Sequence, residues 1–397
     1  MNCTTADIDL PSDTASVVFD LGGLYSEFEK LTDQRKARGK RYRLALILLL
    51  FVLAKLCGED HPYGIAQWLG GRAASLITML GLSCRRLPSH NTLRRALQCA
   101  VNLRQLQKVV RCFLCQRSAS GRSVLVAMDG KTLRGSYIAE QGRAVQLLAA
   151  YLPKEGLVLM QVAVAEGENE LSAAPRLLRC LDLRGKVVAA DALFTQRELS
   201  VQIAAAGGDY IWLAKDNQLH VQEAIAQLFV PPTRSPGWGI PRNDFETATT
   251  QDKGHGRLEE RILTNSELLN DYLDWPDLAQ VFKLERRSTK LKEGTQHTEV
   301  VYGLTSLTHH KANAASLLSW VRGYWGIENG LFHRRDATLR EDATRMTHST
   351  SAQAMAIVNN LTIGLILQQG WRYLPEARRH YDAHPEAALA LLLRPPG

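Results

Sequence analysis

Residues 123–136 read SVLVAMDGKTLRGS, and residues 186–199 read KVVAADALFTQREL. Each opens with a short apolar run of strand type and then presents an aspartate, Asp129 in the first and Asp191 in the second. Between them lie two more apolar runs, 144–151 and 158–165, joined by Pro153-Lys154-Glu155-Gly156. That turn composition predicts a hairpin. Residues 172–181 have helical spacing, with Leu177, Leu178 and Leu181 on one side. Residues 196–206 predict a second helix, closed by Gly207-Gly208. Residues 209–214 (DYIWLA) predict a last strand, followed by Lys215-Asp216-Asn217.

The order is therefore three strands, helix, strand, helix, strand. Three consecutive strands predict an antiparallel meander, and strands alternating with helices predict parallel additions to it. This is the order of a ribonuclease-H-like core in an α/β fold. Asp129 and Asp191 are both expected at the C-terminal ends of neighbouring strands, where their carboxylates converge. A third acid, Glu328, lies in WVRGYWGIENGLFHRRDATLREDATRM (320–346) and is expected to start a helix packed beside the sheet. Converging carboxylates suit hard, oxygen-seeking ions such as Mg²⁺. Two such ions about 3.5–4 Å apart activate an attacking oxygen and steady a leaving one in phosphoryl transfer. Taken singly, an aspartate at a strand end is usually a turn or cap residue, and a glutamate near a helix start often answers the helix dipole. The chemistry is carried by the three together.

Outward from this core the texture changes on both sides. Residues 217–310 break at Pro231-Pro232 and Pro236-Gly237, then give strand-like runs at 261–263, 281–286 and 299–307, which predicts a β-rich insertion. Helical texture resumes at 314–325, and 352–368 is a further apolar helix. Upstream, residues 43–56 predict a helix and more helices follow to about Cys115, with Ser118-Ala119-Ser120-Gly121 as the boundary. The expected domains are a helical, basic N-terminal DNA-binding domain over 1–118, a first part of the core over 119–216, the insertion over 217–310, and the rest of the core with tail helices over 311–397.

The chain has 397 residues, 45% hydrophobic and 22% charged, which excludes collagenous and wholly disordered classes. Its net charge is +8, and the excess is uneven. Residues 1–128 hold 18 Lys and Arg against 9 Asp and Glu, whereas residues 129–397 hold 30 against 31. One basic cluster spans Arg35 to Arg43 and another contains Arg85, Arg86, Arg94 and Arg95. A basic segment ahead of a neutral body points to a polyanion partner. Ser89 as a helix N-cap after Pro88, behind two short helices at 63–69 and 73–80, is compatible with a helix-turn-helix arrangement. The apolar run Leu44–Ala54 is only 11 residues long, short of the roughly 20 that span a bilayer, so a buried core helix is expected and no membrane contact. Seven cysteines are too sparse for a disulfide scaffold and predict a reducing compartment. Cys112 and Cys115 have zinc-like spacing but lack a second pair, so they are expected to be core thiols.

Six segments in order resemble insertion-sequence transposases of the DDE superfamily, in particular the H-repeat-associated group. They are Leu31-Thr32-Asp33-Gln34-Arg35 with Gly39 and Tyr42; Pro88-Ser89-His90-Asn91-Thr92; Asp129-Gly130-Lys131 with Arg134-Gly135; Asp191-Ala192 followed by Lys215-Asp216-Asn217-Gln218; His255-Gly256-Arg257; and Trp325-Gly326-Ile327-Glu328-Asn329 with Asp336 and Glu341-Asp342 behind it. Arg322 matches that group's arginine six residues before the glutamate. The wider superfamily's Tyr, Arg and Lys around the glutamate are replaced here by Val321, Tyr324 and Arg335.

The resemblance implies that Asp129, Asp191 and Glu328 are catalytic and bind two Mg²⁺ or Mn²⁺ ions. Water would cut double-stranded DNA at the element's terminal inverted repeats, and the freed 3′-hydroxyl would attack target DNA. It implies DNA contacts by Lys131, Arg134, His255, Arg257 and Arg322, with Arg94 and Arg95 in the N-terminal region. It also implies a homodimer in the synaptic complex and a bacterial cytoplasmic, nucleoid-associated protein. Two other readings fit the same residues: a catalytically silent DNA-binding regulator, and a metal-dependent nuclease without strand transfer.

Overall fold

The computed structural model describes residues 23–117, 125–139, 142–230, 244–254 and 256–394. The expected domain boundary at 118–121 and the Pro231 and Pro236 breaks lie outside these residues, as does His255.

The core sheet begins with β1 (Leu125–Ile138), β2 (Arg143–Leu152) and β3 (Leu157–Ala163), and adds β4 (Val187–Ala190) and β5 (Asp209–Ala214). Their order is β3-β2-β1-β4-β5, with the first three antiparallel and β4 and β5 parallel to β1. This is the ribonuclease-H-like arrangement that the element order predicts. The β2–β3 hairpin turns through Gly156 at φ 66°, a conformation that glycine adopts without strain. Every residue of β4 is buried, as a central strand covered on both faces requires. Helix α7 (Glu170–Leu178) starts at Asn169, whose side chain accepts from the Ser172 N–H, and α8 (Arg197–Ala205) ends before Gly207 at φ 75°.

The sheet does not stop at β5. After α9 (Leu219–Leu228) come β6 (Glu246–Gly254), β7 (Arg257–Ser266), β8 (Gln280–Lys290) and β9 (Gln296–Thr305). β9 pairs antiparallel with β5, opposing Trp212 with Leu304, and one nine-stranded sheet runs β3-β2-β1-β4-β5-β9-β8-β7-β6. The 217–310 segment thus extends the core sheet. Gly303 permits this junction, because a Cβ there would lie 2.5 Å from the Trp212 carbonyl oxygen.

At the N-terminal end lie α1 (Leu24–Glu29), α2 (Leu44–Leu56), α3 (Pro62–Gly71), α4 (Ala73–Met79), α5 (His90–Arg95) and α6 (Leu103–Arg117). At the C-terminal end lie α10 (Ala314–Tyr324), α11 (Ser349–Gln368), α12 (Leu374–Ala383) and α13 (Pro385–Leu393). The two groups share one core. All of α2 is buried, and it packs against α1, α3, α11, α12 and α13. Trp68 donates to Asp382 (2.8 Å), Arg378 pairs with Asp60 (2.7 Å) and Gln368 donates to the Leu114 carbonyl (2.9 Å). Helix α11 is long and apolar enough to cross a membrane, but 83% of that stretch is buried inside the protein, against α2, α6 and the sheet.

Candidate active site

The parallel ladder between β1 and β4 runs from Leu125↔Val187 to Met128↔Ala190 and ends there. Asp129 and Asp191 are the next residue on each strand, so they stand side by side about 5 Å apart along the hydrogen-bonding direction. One expectation is corrected. Asp191 follows directly on the last residue of β4, but Asp129 lies inside the 14-residue β1, which continues to Ile138. The reason is that β1 loses β4 at this point and keeps β2, opposing Asp129 with Ala149. Asp129 Oδ1 accepts the Gly130 N–H (2.8 Å), and Asp191 Oδ1 accepts the Leu193 N–H (3.1 Å) as a short 3₁₀ turn begins.

Leu125, Ala127, Asp129 and Lys131 alternate onto one face of β1, and α10 lies on that face. Gly323 rides over Leu125, where a Cβ would come within 2.7 Å of Leu125 Cδ2, and Gly326 sits over Pro153. These small residues let the chain descend close to the sheet. Glu328 does not start a helix, contrary to expectation. It follows directly on α10 in wider π-helical turns over Ile327–Phe332 and Arg334–Thr338.

That segment is tied to β1 by pairs that the sequence did not disclose. Lys131 Nζ binds both Asp336 carboxylate oxygens at 2.7 Å and lies over the Phe332 ring. The Arg134 N–H donates to Asp342 (3.1 Å), and the Met346 N–H donates to the Gly135 carbonyl (3.0 Å). Arg335, fully buried, pairs with Glu341 (2.7 Å), which also accepts from Asn359 (2.7 Å).

A fourth carboxylate joins from the opposite face. Glu170, the first residue of α7, fills the space that a side chain at Gly130 would need. Buried Tyr324 has its hydroxyl pushed up by burial and by the charges of Asp129, Asp191, Glu328 and Glu170 together. Burial raises Asp129 to about 7, with Asp191, Glu328 and Glu170 adding to the rise and the Gly130 N–H opposing it. Asp191 is raised mainly by burial, opposed by the Leu193 N–H and the Lys215 charge. Glu170 is raised by burial and then by Asp191. No ion pair involves Asp129, Asp191, Glu170 or Glu328 among the described residues. Among those residues, too, no three His, Cys, Asp or Glu side chains close tightly enough to form a preassembled ion cage. The site is an open set of hard oxygen donors whose mutual repulsion a divalent cation would relieve.

The expected DNA-contact residues do not all gather here. Lys131 is buried and engaged by Asp336. Arg134 is exposed beside Asp342. Arg322 is held at 2.8 Å by Asp252 of β6, which Arg261 also binds (2.7 Å). Arg257 is exposed at the start of β7, on the sheet extension, and Arg94 and Arg95 are exposed on α5. Cys112 and Cys115 are half-buried and exposed on α6, so they are not core thiols. Glu170 escaped the sequence reading because nothing in Asn169-Glu170-Leu171-Ser172 beyond a helix cap marks it.

A ribonuclease-H-like sheet with carboxylates gathered at the end of its central ladder defines a class of nucleic-acid-processing proteins. Residues 120–365 match the transposase DDE domain family, and residues 25–114 match the DDE_Tnp_1-associated family. The chain belongs to the transposase DDE domain family. It is similar to the H repeat-associated putative transposase YhhI of Escherichia coli K12, with 25% identity over 87% of this chain and 91% of that one. An uncharacterized protein in the dhlA 3′ region of Xanthobacter autotrophicus is 32% identical over 66% of this chain and 87% of its own length. A solved piggyBac transposase synaptic complex with hairpin DNA aligns with 94% of this chain and 80% of that one, at 10% identity and a TM-score of 0.46.

Proposed function

We propose that this protein cuts double-stranded DNA at the ends of an insertion sequence and joins the freed 3′ ends to target DNA. The observation that supports this reading is the pair Asp129 and Asp191 directly beyond the last rung of two adjacent parallel strands, with Glu170 against Gly130 and with Glu328 and Glu170 both adding to the rise of Asp129. Asp129, Asp191 and Glu328, with Glu170 beside them, would hold two Mg²⁺ or Mn²⁺ ions, which supply activation of the attacking oxygen and neutralisation of the leaving one. The protein's own part is positional. In this reading the ladder end would set the two aspartates, the glycine-lined approach of α10 would bring Glu328 toward them, and the salt bridges to β1 would hold the segment behind it. A homodimer that pairs two element ends rests on the family resemblance.

The test is cleavage and joining of duplexes carrying the repeats that flank the gene, with Mg²⁺ or Mn²⁺. Asp129→Asn, Asp191→Asn and Glu328→Gln should each bind these duplexes and leave them uncut. Wild type that binds without cutting in either metal would make the protein a DNA-binding regulator. Cutting without joining would make it a nuclease.

A further inference from the structure

A groove of about 1120 Å³ runs along the outer edge of β3, between α6 on one side of the sheet and the end of α7 on the other. Its floor is the run Leu159–Ala163, and its walls carry Arg104, Lys108 and Arg111 from α6 and Arg176 and Arg179 from α7 and the residue after it. No carboxylate lines it among the described residues. Positions 104, 108 and 111 fall at i, i+4 and i+7, which aligns them in one stripe about 10 Å long on a helix.

Two of the five cations are structurally engaged. Arg176 is held by Glu168 (2.7 Å) and by the Ala163 carbonyl (3.0 Å), and Arg111 donates to the Cys180 carbonyl (3.3 Å), linking the walls. The other three, Arg104, Lys108 and Arg179, are exposed and make no ion pair among the described residues. Three cations without an ion pair among the described residues are thus gathered around a concave surface that no carboxylate lines, which is the electrostatic footprint of a polyanion site.

The groove also has a defined relation to the carboxylates. Gln161 on its floor opposes Ala149, which opposes Asp129. Directly opposed residues share a face of the sheet, so Gln161 and Asp129 lie on one rung and one face, two strand spacings or about 10 Å apart. Asn360 of α11 donates to Gln161 over that face, so that the groove reaches this rung from the open edge of β3.

Resting on the transposase reading, we infer that this groove holds the phosphate backbone of duplex DNA that extends away from the carboxylate site. Neither sequence cluster, Arg35–Arg43 or Arg85–Arg95, belongs to it.

Two readouts test the inference on the full chain. The first is fluorescence anisotropy with a labelled 30-bp duplex across a KCl series. It compares wild type with the combined Arg104→Gln, Lys108→Gln, Arg179→Gln variant, after thermal melting has shown that the variant is folded. Affinity should fall at least tenfold, and the slope of log K against log salt should flatten by about 2.7, for three phosphate contacts at about 0.9 each.

The second readout needs no substitution. Cys180 lines the groove and is exposed, whereas Cys99 is exposed outside it. The duplex should slow N-ethylmaleimide alkylation of Cys180, read by peptide mass spectrometry, and leave Cys99 unchanged. A variant that binds with wild-type affinity and slope, together with unprotected Cys180, overturns the groove while leaving the transposase reading intact. Protection of Cys180 by polyglutamate and not by duplex would assign the groove to an acidic protein segment and overturn the inference. A wild type that binds no duplex, including the flanking repeats, overturns both.

Discussion

Lys55 is the one charged residue in the wholly buried α2, and it shows how the helical half tolerates charge. Its ammonium lies 3.6 Å from Asp60 Oδ1, and Asp60 is held more closely by Arg378 at 2.7 Å. Burial pushes Lys55 down to about 8, with Asp60 partly opposing. The folded-state value thus lies below the unfolded one of about 10.4, and folding releases a proton in between. Stability from this group should rise as pH climbs from about 8 to about 10.5, on the order of 3 kcal/mol in all. Urea denaturation of wild type and Lys55→Met over that range should show the difference between them shrinking with pH. At pH 7.5 the Met variant should be at least as stable as wild type, because Asp60 keeps Arg378. Arg378→Met should instead cost about 3–5 kcal/mol, since it strips Asp60 of its closest cation and removes the guanidinium donors to the Lys55 and Thr338 carbonyls.

At the candidate active site the matching residue-scale prediction concerns Gly130. Gly130→Ala should displace the Glu170 carboxylate, because a Cβ at 130 takes its place. Its end-cleavage rate should fall as far as that of Glu170→Gln, about tenfold or more, with duplex affinity unchanged in both. If Gly130→Ala cleaves normally, Glu170 has no part in the reaction.

At the scale of elements, Glu328 is positioned by a segment that carries no regular α-helix. Residues 327–338 are held against β1 by Lys131–Asp336 and continue into Arg134–Asp342 and the buried Arg335–Glu341–Asn359 group. Lys131 was a candidate phosphate contact, and in the structure its ammonium is engaged by Asp336. Lys131→Met should therefore lower the rate of end cleavage and leave duplex affinity and its salt slope unchanged. A weaker affinity with a flatter slope would restore the phosphate-contact role. The acids at 336, 341 and 342 were legible as acids in the sequence, but their partners were not. Their partners come from the distant strand β1, from helix α11, or from a non-helical spacing on the same segment.

At the scale of the molecule, the basic N-terminal helices are not a separately packed unit. Helix α2 is enclosed by α11, α12 and α13 from the other end of the chain, and Cys57 Sγ contacts the Tyr381 carbonyl at 3.2 Å. Removing residues 370–397 would uncover the apolar faces of α1 and α2. The truncated chain should lose cooperative unfolding, and proteolysis should first cut within 23–117, whereas wild type should unfold in one transition by tryptophan fluorescence and circular dichroism. Two separate transitions in wild type would show that the N-terminal helices fold independently.

Local pattern alone determined the strands and helices of the ribonuclease-H-like core, the buried apolar α2 and α11, and the two aspartates that follow short apolar runs. Each of these depends on residues within one turn or one strand, where apolar period and turn chemistry act directly. The polar alternation of β6, ETATTQDKG, gave no apolar signal, and its place depends on pairing with β7. Tertiary structure decided the rest. It carried β1 beyond Asp129 on β2 alone, joined the 217–310 strands to the core sheet through Gly303, and brought Glu170 beside Asp129 from the opposite face. It also folded both chain ends into one core and drew five cations around the edge of β3. These outcomes arise from contacts between residues far apart in the chain, for which no local periodicity exists.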